Sequence, residues 1–154
     1  VSLAISLHAS NDDLRNKIVP INKKYPIKNL LASSKRYLNS LNSKSHITIE
    51  YILINDVNDS IEDASNLVNL LSDLKCKINL IPFNPFPESD YERSTDEKVK
   101  AFKDYLIKHN FIATVRVTRG DEIDGACGQL VGKLINPIGS KKLKNKQIAA
   151  QNLN

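Results

Sequence analysis

Methionine and tryptophan are absent from this 154-residue chain, and cysteine occurs only twice, at Cys76 and Cys127. Two thiols exclude a disulfide-stapled scaffold and a self-contained cysteine zinc site, and they suit a reducing compartment. No apolar run approaches the roughly 18 residues of a membrane helix, and the first residues do not read as a basic-then-apolar leader. The expectation is a cytoplasmic protein with no membrane partner. Hydrophobic residues make up 41% and charged residues 25%, enough apolar matter for a packed core in about one domain. Glycine is scarce, and all five residues fall late, at Gly120, Gly125, Gly128, Gly132 and Gly139. Close backbone approach is therefore expected to be concentrated there. The chain opens directly on Val1-Ser2-Leu3-Ala4-Ile5-Ser6-Leu7, which already alternates like a strand. With no methionine anywhere, we expect a piece of a longer protein.

Charge is unevenly placed. Residues 1–132 carry 17 basic and 17 acidic side chains. The tail holds Lys133, Lys141, Lys142, Lys144 and Lys146 and no acid, so it accounts for the whole formal charge of +5. A basic tail on a neutral body fits a polyanionic partner such as RNA or DNA, and equally a solvated end that aids solubility.

Hydrophobic patterning places the elements. Leu3, Ile5 and Leu7 form a first strand, and Ile27, Leu30, Leu31, Leu38 and Leu41 follow at helical spacing after the Tyr25-Pro26 break. Residues 46–54 (HITIEYILI) are rich in β-branched and aromatic side chains, a second strand that ends in the turn-rich Asn55-Asp56-Val57-Asn58-Asp59. Ser60 caps a helix with the stripe Ile61, Ala64, Leu67, Val68, Leu71 and Leu74, while Glu62 and Asp63 favour its positive end. Ile78 to Phe83 makes a third strand, halted by Pro82 and Pro85. Ser94 and Glu97 form a capping-box pair before the stripe Val99, Phe102, Tyr105 and Leu106. Ala113 to Thr118 alternates as a fourth strand. The order β-α-β-α-β-α-β, with strands about 30 to 45 residues apart, predicts parallel strands with right-handed crossover helices in an α/β sheet or barrel.

In such folds ligands sit at the carboxyl ends of the strands. Four polar rims qualify and are expected to face one cavity: 6–11 (SLHASN), 55–59 (NDVND), 82–86 (PFNPF) and 119–130 (RGDEIDGACGQL). Cys127, between Gly125-Ala126 and Gly128, has room for a substrate, and Arg116 and Arg119 would favour its thiolate. This composition points to a nucleophile over a buried small hydrophobe. Cys76, between Lys75 and Lys77 at the entry of a strand, reads as a structural thiol away from the rim. His8 directly follows its strand and reads as a hydrogen-bonding residue. His46 and His109 have no partners at ligand spacing, so no histidine metal centre is expected. Ser6 lacks the Gly-x-Ser-x-Gly elbow of a hydrolase nucleophile. Asn84, held between Pro82 and Pro85, suits either ligand recognition through its amide or a plain turn.

Taken together, four segments resemble the carboxyl-terminal half of the RlmN-type radical-SAM RNA methyltransferases. They are 3–27 (LAISLHAS followed by NDDLRNKIVPINKKYPI), 49–60 (IEYILINDVNDS), 78–86 (INLIPFNPF) and, most specifically, 115–130 (VRVTRGDEIDGACGQL). The resemblance runs from residue 2 to about residue 132. It implies the later strands of a partial (β/α)6 barrel: residues 1–120 as barrel units, 121–132 as a catalytic cysteine loop and 133–154 as a basic, disordered tail. It further implies binding of S-adenosylmethionine at a [4Fe–4S] cluster, with Ser6, Leu7, His8 and Asn84 matching the contacts to S-adenosylmethionine. Cys127 matches the cysteine that accepts a methyl group. A radical made from a second S-adenosylmethionine then activates that group for addition to carbon 2 of adenine in 23S rRNA and tRNA. Carbon 2 is too weak a nucleophile to attack a sulfonium methyl directly, so the cofactor supplies the hard step and the protein supplies position. An electron donor such as flavodoxin or ferredoxin and a monomeric state are implied as well.

The family's Cys-x3-Cys-x2-Cys motif has no counterpart here, so the cluster ligands lie outside this chain, which alone is expected to be inactive. Two alternatives stay open. One is a Cfr-like methylase acting on carbon 8 of adenine in rRNA, which shares the cysteine; the other is a non-catalytic RNA-binding remnant with an idle thiol. The run Val115-Arg116-Val117-Thr118-Arg119-Gly120-Asp121 favours the carbon-2 branch.

Overall fold

A computed structural model describes residues 2–41 and 44–117. Its elements are β1 (Leu3–Ser6), α1 (Asp12–Ile18), a 3-10 turn (Pro20–Lys23), α2 (Ile27–Asn39), β2 (Ile47–Leu53), α3 (Ile61–Leu71), β3 (Cys76–Pro82), α4 (Asp96–Lys108) and β4 (Ile112–Val115). The four strands are all parallel and stand side by side in the order β1-β2-β3-β4. This is the α/β arrangement expected from the patterning. Each strand returns through a helix because parallel neighbours cannot be joined by a tight turn.

Local chemistry explains most of the boundaries. Ser60 caps α3: its side chain accepts the Asp63 N–H while the Asp63 side chain accepts the Ser60 N–H, a reciprocal capping box. Pro26 precedes α2, which ends at Asn39, so Leu41 lies beyond the helix that its spacing suggested. α1 has no counterpart among the expected elements. Only Leu14 and Ile18 mark its apolar side, too few for a readable stripe, but the Asn11 side chain accepts the Leu14 N–H and Asp12 and Asp13 occupy the first turn. The start of α4 also differs from expectation. Thr95, not Ser94, is the N-cap and accepts the Lys98 N–H. Ser94 is buried and donates instead to Asp59 Oδ2 at 2.7 Å, an acceptor 35 residues away that no local pattern reveals.

Alternation along the strands divides the sheet into two faces. One carries Ile5, Ile47, Ile49, Tyr51, Leu53, Ile78, Leu80 and Ala113, and it packs against Ile27 and Leu31 of α2, Leu67 and Leu71 of α3, and Phe102 and Leu106 of α4. Tyr51 and Phe102 pack there as a tilted ring pair with centroids 5.4 Å apart. Among the described residues, no long helix packs on the opposite face. Its carboxyl end carries an apolar cluster, where Ile52, Ile54, Ile81 and Phe83 gather with Ile18 of α1 and, at the margin, Phe86 and Tyr91. Among the described residues, the long helices bury one face only.

Candidate functional site

The carboxyl ends of β1 and β2 are locked together by buried polar groups. After Ser6 the Leu7 N–H still bonds the Glu50 carbonyl at 3.0 Å, as a parallel ladder requires. The next rung would join the Ile52 N–H to the Leu7 carbonyl, which Arg15 takes instead. At His8, however, the chain turns into the left-handed region, with φ 61°. The His8 ring takes the vacated place, its Nδ1 accepting the Ile52 N–H at 3.1 Å. A backbone N–H can only donate, so Nδ1 is unprotonated and the neutral ring carries its proton on Nε2. Burial, with the Arg15 charge nearby, pushes the His8 pKa down to about 4 and keeps the ring neutral.

Further buried side chains complete the lock. Asn58 is fully buried, donates to the His8 and Ile52 carbonyls at 3.0 and 2.7 Å, and accepts the Ile54 N–H at 2.8 Å. The Tyr51 hydroxyl donates to the Asn58 carbonyl at 3.0 Å. Arg15 of α1 is buried and donates to the Leu7 carbonyl at 3.0 Å, the Ser6 carbonyl at 3.0 Å and Asn22 Oδ1 at 2.7 Å. Asp12 holds this arrangement from below by accepting the Ile27 N–H and the Asn22 amide, which pull its pKa below the usual carboxylate range.

The predicted contact residues therefore stand in different environments. Ser6 is exposed on the open face and donates to Glu50 Oε2 at 3.3 Å. The Leu7 side chain is wholly within the core, and its main-chain groups are bonded to Glu50 and Arg15. His8 is buried at the rim, and Asn84 is exposed beyond β3. The second rim is tied to the segment that follows the third by the Asn55 N–H, which donates to the Glu92 carbonyl at 3.0 Å. A cavity of about 460 Å³ lies beside α2, lined by Ser10, Asn11, Ile27, Leu31 and Leu70, but Ser6, His8 and Asn84 do not line it. Cys127, the rest of the fourth rim and the basic tail lie outside the described residues. Cys76 is a free, half-buried thiol at the amino end of β3, where burial pushes its pKa up to about 11, the environment of an inert cysteine.

Arg15, Asn22, Asn58 and Glu50 were not singled out from the sequence. The only local hint was the density of Asn and Asp after each strand. Three thiolates are the usual protein share of a radical-SAM cluster, and the sequence has two cysteines, one of them at the wrong end of the sheet. The residues present do not fit an iron–sulfur cluster. Among the described residues no three His, Cys, Asp or Glu side chains gather as metal ligands would. They do fit a polar nucleoside cofactor, since Ser6, Glu50, Asn79 and Thr114 present hydroxyl, carboxylate and amide groups on the open face.

This parallel sheet with one helix-covered face is the architecture of the radical-SAM enzymes. It superposes on a radical SAM methyltransferase from Sphaerobacter thermophilus with a TM-score of 0.77 and 46% identity, over 84% of this chain and 37% of that one. A domain of pyruvate-formate lyase-activating enzyme from Bacteroides vulgatus shares the fold, with a TM-score of 0.59 at 17% identity over 75% of this chain and 67% of that one. More particularly, the chain is similar to the dual-specificity RNA methyltransferases RlmN of Pseudomonas entomophila and Pseudomonas putida, being 58% identical to each over 134 residues. That stretch is 87% of this chain and 35% of those proteins, so the chain spans about a third of the relatives it matches, toward their carboxyl end. No protein-family model matches the chain. The resemblance drawn from the four motifs is borne out.

Proposed function

We propose that this chain is the carboxyl-terminal part of a radical-SAM RNA methyltransferase that modifies carbon 2 of adenine in 23S rRNA and tRNA. The observation that carries this reading is the 58% identity to RlmN along 87% of the chain. The Ser6-Leu7-His8 segment and Asn84 hold S-adenosylmethionine, which when bound supplies the one-carbon unit. Ser6 offers a hydroxyl on the open face, Leu7 anchors the segment in the core, and His8 offers a fixed Nε2–H. Cys127 receives the one-carbon unit on its sulfur and hands it to the adenine, which must be unstacked to reach it. The lysines of the tail hold phosphates in a salt-dependent manner. The iron–sulfur cluster and its electron donor, a flavodoxin or ferredoxin, act through residues outside this chain.

The test uses the full-length protein in cells lacking their own enzyme, with the modified nucleosides of rRNA and tRNA quantified by mass spectrometry. Wild type is expected to produce 2-methyladenosine and to carry a methyl group on Cys127, and Cys127→Ser is expected to abolish the product. A product methylated at carbon 8 would transfer the protein to the Cfr-like branch. Undiminished methylation in the serine variant contradicts the thiol mechanism.

A further inference from the structure

One row of side chains on the open face stands out by register. Ser6 of β1 pairs with Glu50 of β2, Glu50 with Asn79 of β3, and Asn79 with Thr114 of β4, so four polar residues cross the sheet in a single line. Central strands of parallel sheets are ordinarily apolar on both faces, and glutamate is a poor strand former. The row breaks that rule at both central strands, β2 and β3, while their other face obeys it.

The row has an internal order. Ser6 donates to Glu50 Oε2 at 3.3 Å and Thr114 to Asn79 Oδ1 at 3.3 Å. Glu50 is half-buried, and it is the one carboxylate that the described strands present on this face. Its other oxygen, Oε1, has no partner among the described residues. The next residues toward the carboxyl end of the same face are Ile52 and Ile81, which belong to the apolar cluster with Phe83. The carboxylate thus stands between a polar row and an apolar wall.

We infer that Glu50 is a ligand-binding residue whose free carboxylate oxygen accepts hydrogen bonds from the nucleoside cofactor, with Ser6 holding the other oxygen and Asn79 and Thr114 extending the polar floor. This rests on the proposed S-adenosylmethionine-dependent function. The donors on that cofactor able to meet a carboxylate are its vicinal ribose hydroxyls, its adenine amino group and its ammonium group.

Two probes separate those donors on the full-length protein: S-adenosylmethionine, which has them all, and 5′-methylthioadenosine, which keeps the adenosine portion and lacks the amino-acid portion. Glu50→Gln is expected to weaken S-adenosylmethionine binding about tenfold or more in equilibrium dialysis, raising KM with little change in kcat. An equal loss for 5′-methylthioadenosine assigns the carboxylate to the adenosine portion; a loss confined to S-adenosylmethionine assigns it to the ammonium. Equal affinities of E50Q and wild type overturn the inference. Wild type that binds neither probe overturns the functional reading beneath it. An independent readout needs no variant: carbodiimide labelling of wild type, mapped by mass spectrometry, should reach Glu50 and be blocked by 5′-methylthioadenosine. Labelling of Glu50 that the ligand leaves unchanged overturns the inference as well.

Discussion

His8 combines three constraints on one residue: a positive φ of 61°, a buried ring and a ring nitrogen that replaces a main-chain acceptor. A non-glycine residue in that region costs on the order of 1 kcal/mol, and the Ile52, Asn58 and Arg15 contacts hold it there. The depressed pKa has a stability consequence whose sign is fixed. Below pH 6.5 the unfolded chain protonates this imidazole while the folded one, with its pKa near 4, does not. Proton uptake therefore favours unfolding, and stability falls as pH drops through that window. From pH 6.5 to pH 5 the His8 contribution is a loss of about 2 kcal/mol. Urea titrations of wild type and His8→Asn across this range should show the extra acid sensitivity in wild type only. Parallel pH profiles for the two proteins would refute the buried-neutral assignment.

At the scale of elements, most of the stability of each helix comes from packing, and the caps decide where it starts. The α4 start shows how tertiary contact selects among local candidates. Both Ser94 and Thr95 are good caps, but Ser94 is drawn into a buried bond with Asp59, which also lies 3.5 Å from Lys98 Nζ. Thr95→Ala should then cost about 1 kcal/mol of stability. Ser94→Ala should also destabilise, but in a double-mutant cycle its effect should couple to Asp59→Asn and add independently to Glu97→Gln. Coupling between Ser94 and Glu97 would restore the local capping box instead. α1 makes the complementary point: its start is legible in Asn11, Asp12 and Asp13, yet its reason for being helical is the delivery of Arg15 to the Ser6 and Leu7 carbonyls.

For the molecule as a whole, β2 and β3 have strand neighbours on both sides, whereas β1 and β4 form the two edges of the described sheet. Amide exchange should follow that order. Native-state exchange read by mass spectrometry is expected to protect Ile47–Leu53 and Cys76–Pro82 most strongly, with Leu3–Ser6 and Ile112–Val115 opening earlier. Equal protection of all four strands would mean that both edges are covered. No helix among the described residues is long and apolar enough to cross a membrane. The chain's proposed ligands instead meet the uncovered face of the sheet and its carboxyl rim.

The strand and helix sequence was written in the linear order of the residues, because apolar periodicity and capping chemistry act over a few positions. The parallel α/β class and the rims after each strand followed from that order, and the family resemblance from motifs that are themselves rim segments. Only the tertiary structure decided that Ser94 serves Asp59, that the His8 ring completes a strand ladder, that Arg15 and Asn58 hold the rim, and that Ser6, Glu50, Asn79 and Thr114 form one line. These contacts join residues as far as 50 positions apart, as in the bond from Asn58 to His8. Register between strands creates them, and register is a property of the packed sheet that no single segment contains.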